Sequence, residues 1–145
     1  MKTATPYLNL RGNAEEAFEL YRGVVDEEFT DLLRYGDFDG NPMDVPEEHL
    51  EKIAHVALPI GDTVLMGGDD LERMDGAPPA DGTALIRLEP ENAADADASF
   101  AALAEGGEVL MPLQEVDWAE KHGWCVDRFG VRWMVDYPGD GHAGE

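Results

Sequence analysis

The feature that most constrains the fold is an internal repeat. Each copy starts with a short strand of alternating apolar residues, continues with a helix that has an apolar stripe, and ends with three strands. The copies span residues 5–67 and 83–137, and a segment rich in Gly, Pro and Asp joins them. The order of elements predicted for each copy is therefore βαβββ.

The spacing of matching residues locates an insertion. Phe18 and Phe100, at matching positions of the two helices, lie 82 residues apart, whereas Gly61 and Gly130, before the last strands, lie 69 apart. The difference of 13 residues predicts extra chain in the first copy. The polar, turn-rich segment 36–52 is its expected place.

Both helices carry a start signal. Asn13 and Asn92 are predicted N-caps, with Glu16 and Asp95 three residues later to complete a capping box. The apolar residues that follow at helical spacing predict the buried face of each helix. These residues are Ala14, Ala17, Phe18, Tyr21 and Val25 in the first copy, and Ala96, Phe100 and Leu103 in the second.

A single copy is too small to bury both faces of its own sheet. We therefore predict an α+β protein in which the two tandem βαβββ modules pair. They would form one curved, cup-shaped mixed sheet with the helices outside and a concave face inside. On this reading residues 1–145 make one domain.

Charge and composition exclude several classes of function. The 32 acidic and 10 basic residues give a net charge of -22, which argues against a nucleic-acid or anionic-membrane partner, because phosphate recognition depends on Lys and Arg. No apolar run approaches the roughly 18 residues that span a bilayer. The single cysteine, Cys125, excludes an intramolecular disulfide and is predicted to be buried and unreactive. These features, with no signal-like N-terminus, predict a cytoplasmic protein.

The acidity has two interpretations. High charge is typical of disorder, but here the acidic residues alternate with a regular apolar pattern rather than forming a tail. The second interpretation is a folded protein from a halophile whose surface is adapted to molar salt. At about 1 M salt the Debye length is roughly 3 Å, so the repulsion between these charges is largely screened. We adopt the second interpretation.

Two tandem βαβββ modules resemble the vicinal oxygen chelate superfamily, which includes glyoxalase, bleomycin-resistance and extradiol-dioxygenase proteins. Local sequence narrows the resemblance to the PhnB-like branch, which is often named after demethylubiquinone methyltransferase. The segments that carry it are 6–21, 55–58, 65–69, 111–119 and Phe129-Gly130-Val131-Arg132-Trp133-Met134-Val135. The resemblance covers residues 5–137.

The resemblance also implies where a metal would bind. Metal-dependent members hold one divalent ion in the cup, with His, Glu or similar ligands on the first and last strands of each module. The residues here at those positions are Pro6 or Tyr7, Leu65 or Gly67, Ala84 or Leu85, and Met134, with Asp136 available only after a shift of two residues. None of the matching positions holds a good ligand for a divalent cation, so we predict no metal and no cofactor.

Strand alternation selects the first candidate site residues. If Leu8 and Leu10 face the helix, Tyr7 and Asn9 face the cup. His55, in an apolar strand, has two interpretations: it orders the sheet through a hydrogen bond, or it contacts a ligand or transfers a proton.

A second group lies at the end of the strand predicted over residues 108–116. Gln114, Glu115 and Trp118 bring hydrogen-bonding groups and an aromatic wall near one spot, which is typical of a small-molecule site. The alternative is a polar strand edge beside a core tryptophan. Glu115 is also the one candidate for a general base. His49 and His122 lie in polar stretches and are predicted to be exposed.

Two classes of function remain. The first is a metal-independent protein that binds a small, largely apolar or aromatic molecule in the cup, as bleomycin-resistance relatives do. The second is a metal-dependent lyase, isomerase or dioxygenase of the same superfamily. The missing metal ligands favour the first class. The resemblance and the apolar strand edges also predict a homodimer.

Overall fold

The computed structural model describes residues 1–78 and 82–139, and two successive sets of elements lie in this part of the chain. The first set is β1 (Tyr7–Leu10), α1 (Ala14–Val25), β2 (Asp31–Arg34), β3 (Ile53–Ile60) and β4 (Thr63–Asp69). The second set is β5 (Ile86–Leu88), α2 (Ala93–Ala104), β6 (Glu108–Val116), β7 (Ala119–Val126) and β8 (Arg132–Tyr137).

The chain divides into two compact units, Met1–Pro79 and Ala80–Glu145, and each contains one βαβββ module. This confirms the α+β class and the tandem modules. The cup-shaped single sheet and the single domain concern how the two units are arranged, and they stay predictions.

The sheet of the first unit has the strand order β1-β4-β3-β2. Strand β1 runs parallel to β4, and the other neighbours are antiparallel. Gly67 pairs with both Leu8 and Val56, so these three residues point to the same face. A methyl group added at Gly67 would lie 2.7 Å from a ring carbon of Phe18, which shows that α1 packs closely on this face.

A buried carboxylate joins α1 to the sheet. Asp69, at the end of β4, is 3% exposed and accepts hydrogen bonds from the backbone N–H groups of Gly12 (2.8 Å), Ala14 (2.9 Å) and Ile53 (3.0 Å). One side chain thus satisfies donors at the start of α1 and at the start of β3. Buried backbone donors need such partners, so we assign Asp69 a structural role.

The second unit repeats this arrangement, with the strand order β5-β8-β7-β6. Gly123 of β7 pairs with Val135 of β8, and a methyl group at Gly123 would lie 2.9 Å from the ring of Phe100 in α2. In each unit, therefore, a helix phenylalanine lies over a pair of strand residues of which one is glycine. The glycine is on the fourth strand of the first module and on the third strand of the second.

The predicted helix caps have different outcomes. Asn92 accepts a hydrogen bond from the backbone N–H of Asp95 at 2.8 Å, which confirms the N-cap of α2. Asn13 makes no such bond, and its side-chain oxygen is buried without a partner. The capping box predicted there is wrong: Asn13 has φ -120° and ψ 24° rather than the extended backbone of an N-cap, and the Asp69 carboxylate accepts from the first N–H of α1.

The predicted insertion lies between β2 and β3. It contains two short 3-10 turns, Tyr35–Asp37 and Glu47–His49, and the Tyr35 hydroxyl donates a hydrogen bond to the backbone carbonyl of Asp69 at 2.6 Å. This contact ties the inserted segment to the end of β4.

Neither helix in residues 1–78 and 82–139 has the length and apolar character that a membrane span requires.

Candidate functional site

The face of the first sheet opposite α1 carries three of the predicted site residues, and we call it the Tyr7 face. Tyr7 and Asn9 alternate with Leu8 on β1, and His55 alternates with Val56 on β3, so all three point away from α1. The rings of Tyr7 and His55 are stacked, with centroids 5.8 Å apart. The structure therefore confirms that Leu8 faces the helix and that Tyr7 and Asn9 point away from it, whereas their place in a cup stays a prediction.

Hydrogen bonds orient the two stacked rings. The Tyr7 hydroxyl lies 3.3 Å from the backbone carbonyl of Ala54 and 3.4 Å from Nδ1 of His55. Burial raises the pKa of Tyr7, so its hydroxyl keeps its proton near neutral pH. The carbonyl can only accept, so both contacts are satisfied when Nδ1–H of His55 donates to the hydroxyl and the hydroxyl donates to the carbonyl. The Tyr7 side chain is nevertheless 50% exposed.

Asn9 stands beside this pair and is also exposed. Its side-chain amide donates a long hydrogen bond of 3.4 Å to Asp70. The Tyr7 face thus combines a partly exposed aromatic ring with directed polar groups.

The face of the second sheet opposite α2 carries a chain of hydrogen bonds, and we call it the His122 face. His122 is 4% exposed, and its Nδ1 lies 2.9 Å from the carboxylate of Asp136 on β8. The indole N–H of Trp124 donates to Nε2 of the same ring at 3.0 Å. An indole N–H can only donate, so Nε2 is the acceptor and Nδ1 carries the proton in this arrangement.

An arginine holds the other end of the chain. Arg87 on β5 donates to one carboxylate oxygen of Asp136 through Nε (3.0 Å) and Nη2 (2.7 Å), and Nη1 donates to Glu89 at 3.0 Å. Partial burial lowers the pKa of Arg87, but the hydrogen bonds that it donates to Asp136 and Glu89, together with the negative charges of these two groups, outweigh the effect of burial, so the net shift is upward. The buried carboxylate of Asp136, which is 4% exposed, thus lies beside the charged guanidinium of Arg87.

Two of the three predicted residues of the second unit lie beside His122, and the third, Glu115, follows one of them on β6. Gln114 of β6 pairs directly with His122 across the strands. Trp118, 48% exposed, meets the His122 ring edge to face at 5.3 Å between centroids. Glu115 follows Gln114 where the register of β6 shifts, and it is exposed. Because Glu115 is exposed rather than held in an apolar pocket, we assign it no catalytic role.

The two histidines occupy matching places in the two modules. His122 pairs with Asp136, and continuing the pairing of β3 with β4 by one residue brings His55 next to Gly68. A methyl group at Gly68 would lie 3.1 Å from the Tyr7 hydroxyl. In the first module Nδ1 of His55 therefore contacts the hydroxyl of Tyr7, whereas in the second module Nδ1 of His122 contacts the carboxylate of Asp136.

Sequence reasoning missed much of the His122 face. His122 was predicted to be exposed, which is wrong: its partners Asp136 and Trp124 hold it within the sheet. Arg87 and Asp136 were not predicted as site residues. The matching position of His55 is the signal that could have found His122. His49 is half-buried, and the prediction that it is exposed is therefore not supported.

The donor set does not suit a divalent metal. No three His, Cys, Asp or Glu side chains come together as ligands within residues 1–78 and 82–139. Asp136, the one carboxylate near the positions that the superfamily uses, is hydrogen-bonded to Arg87 and to His122. A cation such as Arg87 beside a ligand carboxylate opposes the binding of a metal ion there.

Cys125 is buried on β7. Burial, with a smaller contribution from the charge of Asp127, raises its pKa to about 11. The burial of Cys125 is therefore confirmed, and a scarce thiolate at neutral pH supports the prediction that the thiol is unreactive.

Comparison with known proteins places this geometry in a family. The model of the 3-demethylubiquinone-9 3-methyltransferase family matches residues 2–136. Protein PA1353 from Pseudomonas aeruginosa has a similar structure, with a TM-score of 0.81 and 34% identity, over 97% of this chain and 100% of that chain.

Two further solved structures share the fold. A putative 3-demethylubiquinone-9 3-methyltransferase, PhnB protein, from Bacillus cereus has a TM-score of 0.74 and 24% identity, over 94% of this chain and 99% of its own. A glyoxylase/bleomycin resistance protein/dioxygenase domain from Frankia sp. EAN1pec has a TM-score of 0.65 and 13% identity, over 96% and 98% of the two chains. The chain thus has the glyoxalase/bleomycin-resistance fold and belongs to the 3-demethylubiquinone-9 3-methyltransferase family.

Proposed function

We propose that this protein binds a small, largely apolar or aromatic molecule on the sheet faces opposite the helices, without a metal. The observation that carries the proposal is that each of these faces presents a partly exposed aromatic ring beside an oriented histidine. Ligand sites are typically apolar surfaces with a few directed polar groups. The Tyr7 face and the His122 face both have this composition.

The exposure of the Tyr7 and Trp118 rings also supports a binding role. Tyr7 and Trp118 are about half exposed, although each is large enough to stabilise a core by burial. Each ring is held by a histidine neighbour, Tyr7 by His55 and Trp118 by His122, so its orientation is fixed before a ligand arrives. Fixed rings lower the entropic cost of binding.

Methyl transfer, which the family description names, has less support in these residues. Adenosyl and nucleotide cofactors are commonly held where a glycine-rich turn leads from a strand into a helix. The glycine pair Gly67–Gly68 lies inside strand β4, and the pair Gly106–Gly107 lies between α2 and β6. Neither position is such a turn.

The alternative, a metal-dependent lyase, isomerase or dioxygenase, needs ligands that the superfamily positions do not supply here. Metal analysis of untagged protein separates the two functions. We expect less than one divalent ion per chain and no loss of ligand binding in EDTA. A stoichiometric ion whose removal abolishes activity or binding would overturn the proposal.

The aromatic rings can be tested directly. We expect Trp118→Ala to weaken binding of an aromatic fragment such as indole to the His122 face, because it removes an indole ring that is 48% exposed there. The matched control is Met43→Ala, which removes an exposed apolar side chain from the inserted segment between β2 and β3. Equal effects of the two substitutions would contradict the assignment of this face.

We further propose a cytoplasmic homodimer adapted to high salt. The edge strand β6 exposes Val109 and Leu110, and an exposed apolar strand edge is a common site of self-association. Sedimentation in concentrated KCl is the test. A species twice the chain mass of 15.9 kDa is expected, and a monomer at tens of micromolar protein would contradict it.

A further inference from the structure

The hydrogen bonds of His122 make the ring sensitive to a second proton. In the neutral ring, Nδ1–H donates to Asp136 and Nε2 accepts from the Trp124 indole. Protonation at Nε2 would place two N–H donors at a separation that is now 3.0 Å. Because an indole has no acceptor to offer, this hydrogen bond has to break.

The other hydrogen bond of the ring, to Asp136, would not break. Nδ1–H stays on the Asp136 carboxylate, which Arg87 also holds. The protonated ring is therefore stabilised on one side and left without an acceptor on the other. On that side two donors, Nε2–H and the Trp124 N–H, would converge on one position.

We propose that His122 and Trp124 form a proton-gated site for the oxyanion of a weak organic acid, such as an aryl carboxylate or a phenolate. An oxygen placed between the two N–H groups would accept from both and would replace the hydrogen bond that protonation breaks. The proton goes to Nε2 and the oxyanion binds beside it. This inference rests on the proposed function for the aromatic part of the ligand, which Trp118 would contact.

Charge balance explains why the gate would be useful to this chain. A protein of net charge -22 repels an anion that arrives alone. When a proton and a monoanion enter together, the total charge does not change. The site would thus take up a weak acid that the surface charge otherwise disfavours.

The charged groups near His122 come from four strands. Asp136 lies on the neighbouring strand β8, and Arg87 lies on β5, on the far side of β8, with Glu89 bound to Arg87. From β6 the paired residue is Gln114, which does not titrate, with the exposed Glu115 next to it. On β7 itself, Glu120 is two residues away. An imidazole is the type of side chain whose ordinary pKa lies between about pH 8 and about pH 5.5.

His55 provides a matched control within the same chain. Its Nδ1 meets the hydroxyl of Tyr7, and a hydroxyl can either donate or accept. A second proton on His55 therefore forces no hydrogen bond to break. We therefore expect protonation to break a hydrogen bond at His122 and not at His55.

The gate itself can be observed without a ligand. The indole N–H signals of the three tryptophans are followed by NMR between about pH 8 and about pH 5.5. We expect the Trp124 signal to move as its hydrogen bond is lost, and the Trp133 signal, whose N–H donates to Asp127 at 2.9 Å, to stay in place. In His122→Gln, which keeps an acceptor oxygen but takes up no proton in this range, the Trp124 signal should not titrate. A Trp124 signal that is unchanged in the wild type, or that still titrates in His122→Gln, would overturn the gate.

Benzoate tests the ligand class. If one proton is taken up with each anion, the affinity for benzoate should rise about tenfold for each pH unit of acidification while His122 is neutral in the free protein. His55→Gln should keep this dependence and His122→Gln should lose it. Benzoate binding with no pH dependence, or none at all, would overturn the oxyanion site.

A neutral probe separates this outcome from a failure of the proposed function. Benzyl alcohol carries the same ring without the carboxylate. If it binds and benzoate does not, the oxyanion site is wrong and the proposed function survives. If neither binds, both fail, and the indole titration then shows only whether the hydrogen bond breaks.

Discussion

Replacing Asp69 by alanine is the strongest test of how the first unit is held together. The substitution removes a buried acceptor that three backbone N–H groups share, those of Gly12, Ala14 and Ile53. A hydrogen bond to a charged group contributes about 1.5–3 kcal/mol, and a buried donor left unpaired costs about 1–3 kcal/mol. Because the three bonds share one acceptor, their losses do not add, and we expect the free energy of unfolding to fall by about 3–6 kcal/mol.

A milder substitution grades the effect. Asp69→Asn keeps an oxygen for two of the donors but turns an NH₂ group toward the third. We expect a loss of about 1–3 kcal/mol, between those of the wild type and Asp69→Ala. The matched control is Asp62→Ala in the exposed turn between β3 and β4, which removes the same charge and should change stability by less than about 0.5 kcal/mol.

Urea unfolding followed by far-ultraviolet circular dichroism in concentrated KCl measures these differences. The tryptophans, Trp118, Trp124 and Trp133, all lie in the second unit, so their fluorescence reports that unit separately. We expect the dichroism midpoint of Asp69→Ala to fall while the slope with urea is kept. If Asp69→Ala and Asp62→Ala unfold within about 0.5 kcal/mol of each other, the structural role of Asp69 is wrong.

Three further predictions concern packing, reactivity and salt. Gly67→Ala should destabilise the protein by about 1–3 kcal/mol, because its methyl group would meet the Phe18 ring and the Leu8 carbonyl, whereas Gly23→Ala on the exposed side of α1 should stabilise it by about 0.5–1 kcal/mol; thermal unfolding compares the two. Cys125, with a pKa of about 11, should resist alkylation by iodoacetamide at pH 8 in the folded protein, and labelling as fast as in urea would contradict its burial. The thermal midpoint should climb steeply between roughly 0.1 and 2 M KCl, as screening shortens the Debye length from about 10 Å, and a flat midpoint would refute the salt adaptation.

Local pattern was enough to predict the modules and the first site face. The alternation of Leu8 and Leu10 correctly placed Tyr7 and Asn9 away from the helix. The Asn92 cap was also predictable, because its partner is only three residues away. Such features depend on neighbours in sequence, which is why the residues alone reveal them.

Features that depend on distant residues were not predictable. Asp69 replaces Asn13 at the start of α1 although 55 residues separate it from Ala14. His122 was missed because matching it to His55 needs an offset of 67 residues, whereas the glycines before the last strands give 69. The turns that precede those strands differ in length, and the pattern of apolar residues does not register the difference.

The most direct test of the central claim is to map where aromatic fragments bind, using amide NMR signals of the wild-type protein in EDTA. We expect indole and benzyl alcohol to shift signals around Tyr7 and His55, and around Trp118 and His122, and to leave the exposed sides of α1 and α2 unchanged. Shifts confined to the helices, or binding that appears only after a divalent metal is added, would contradict a metal-independent site on the sheet faces.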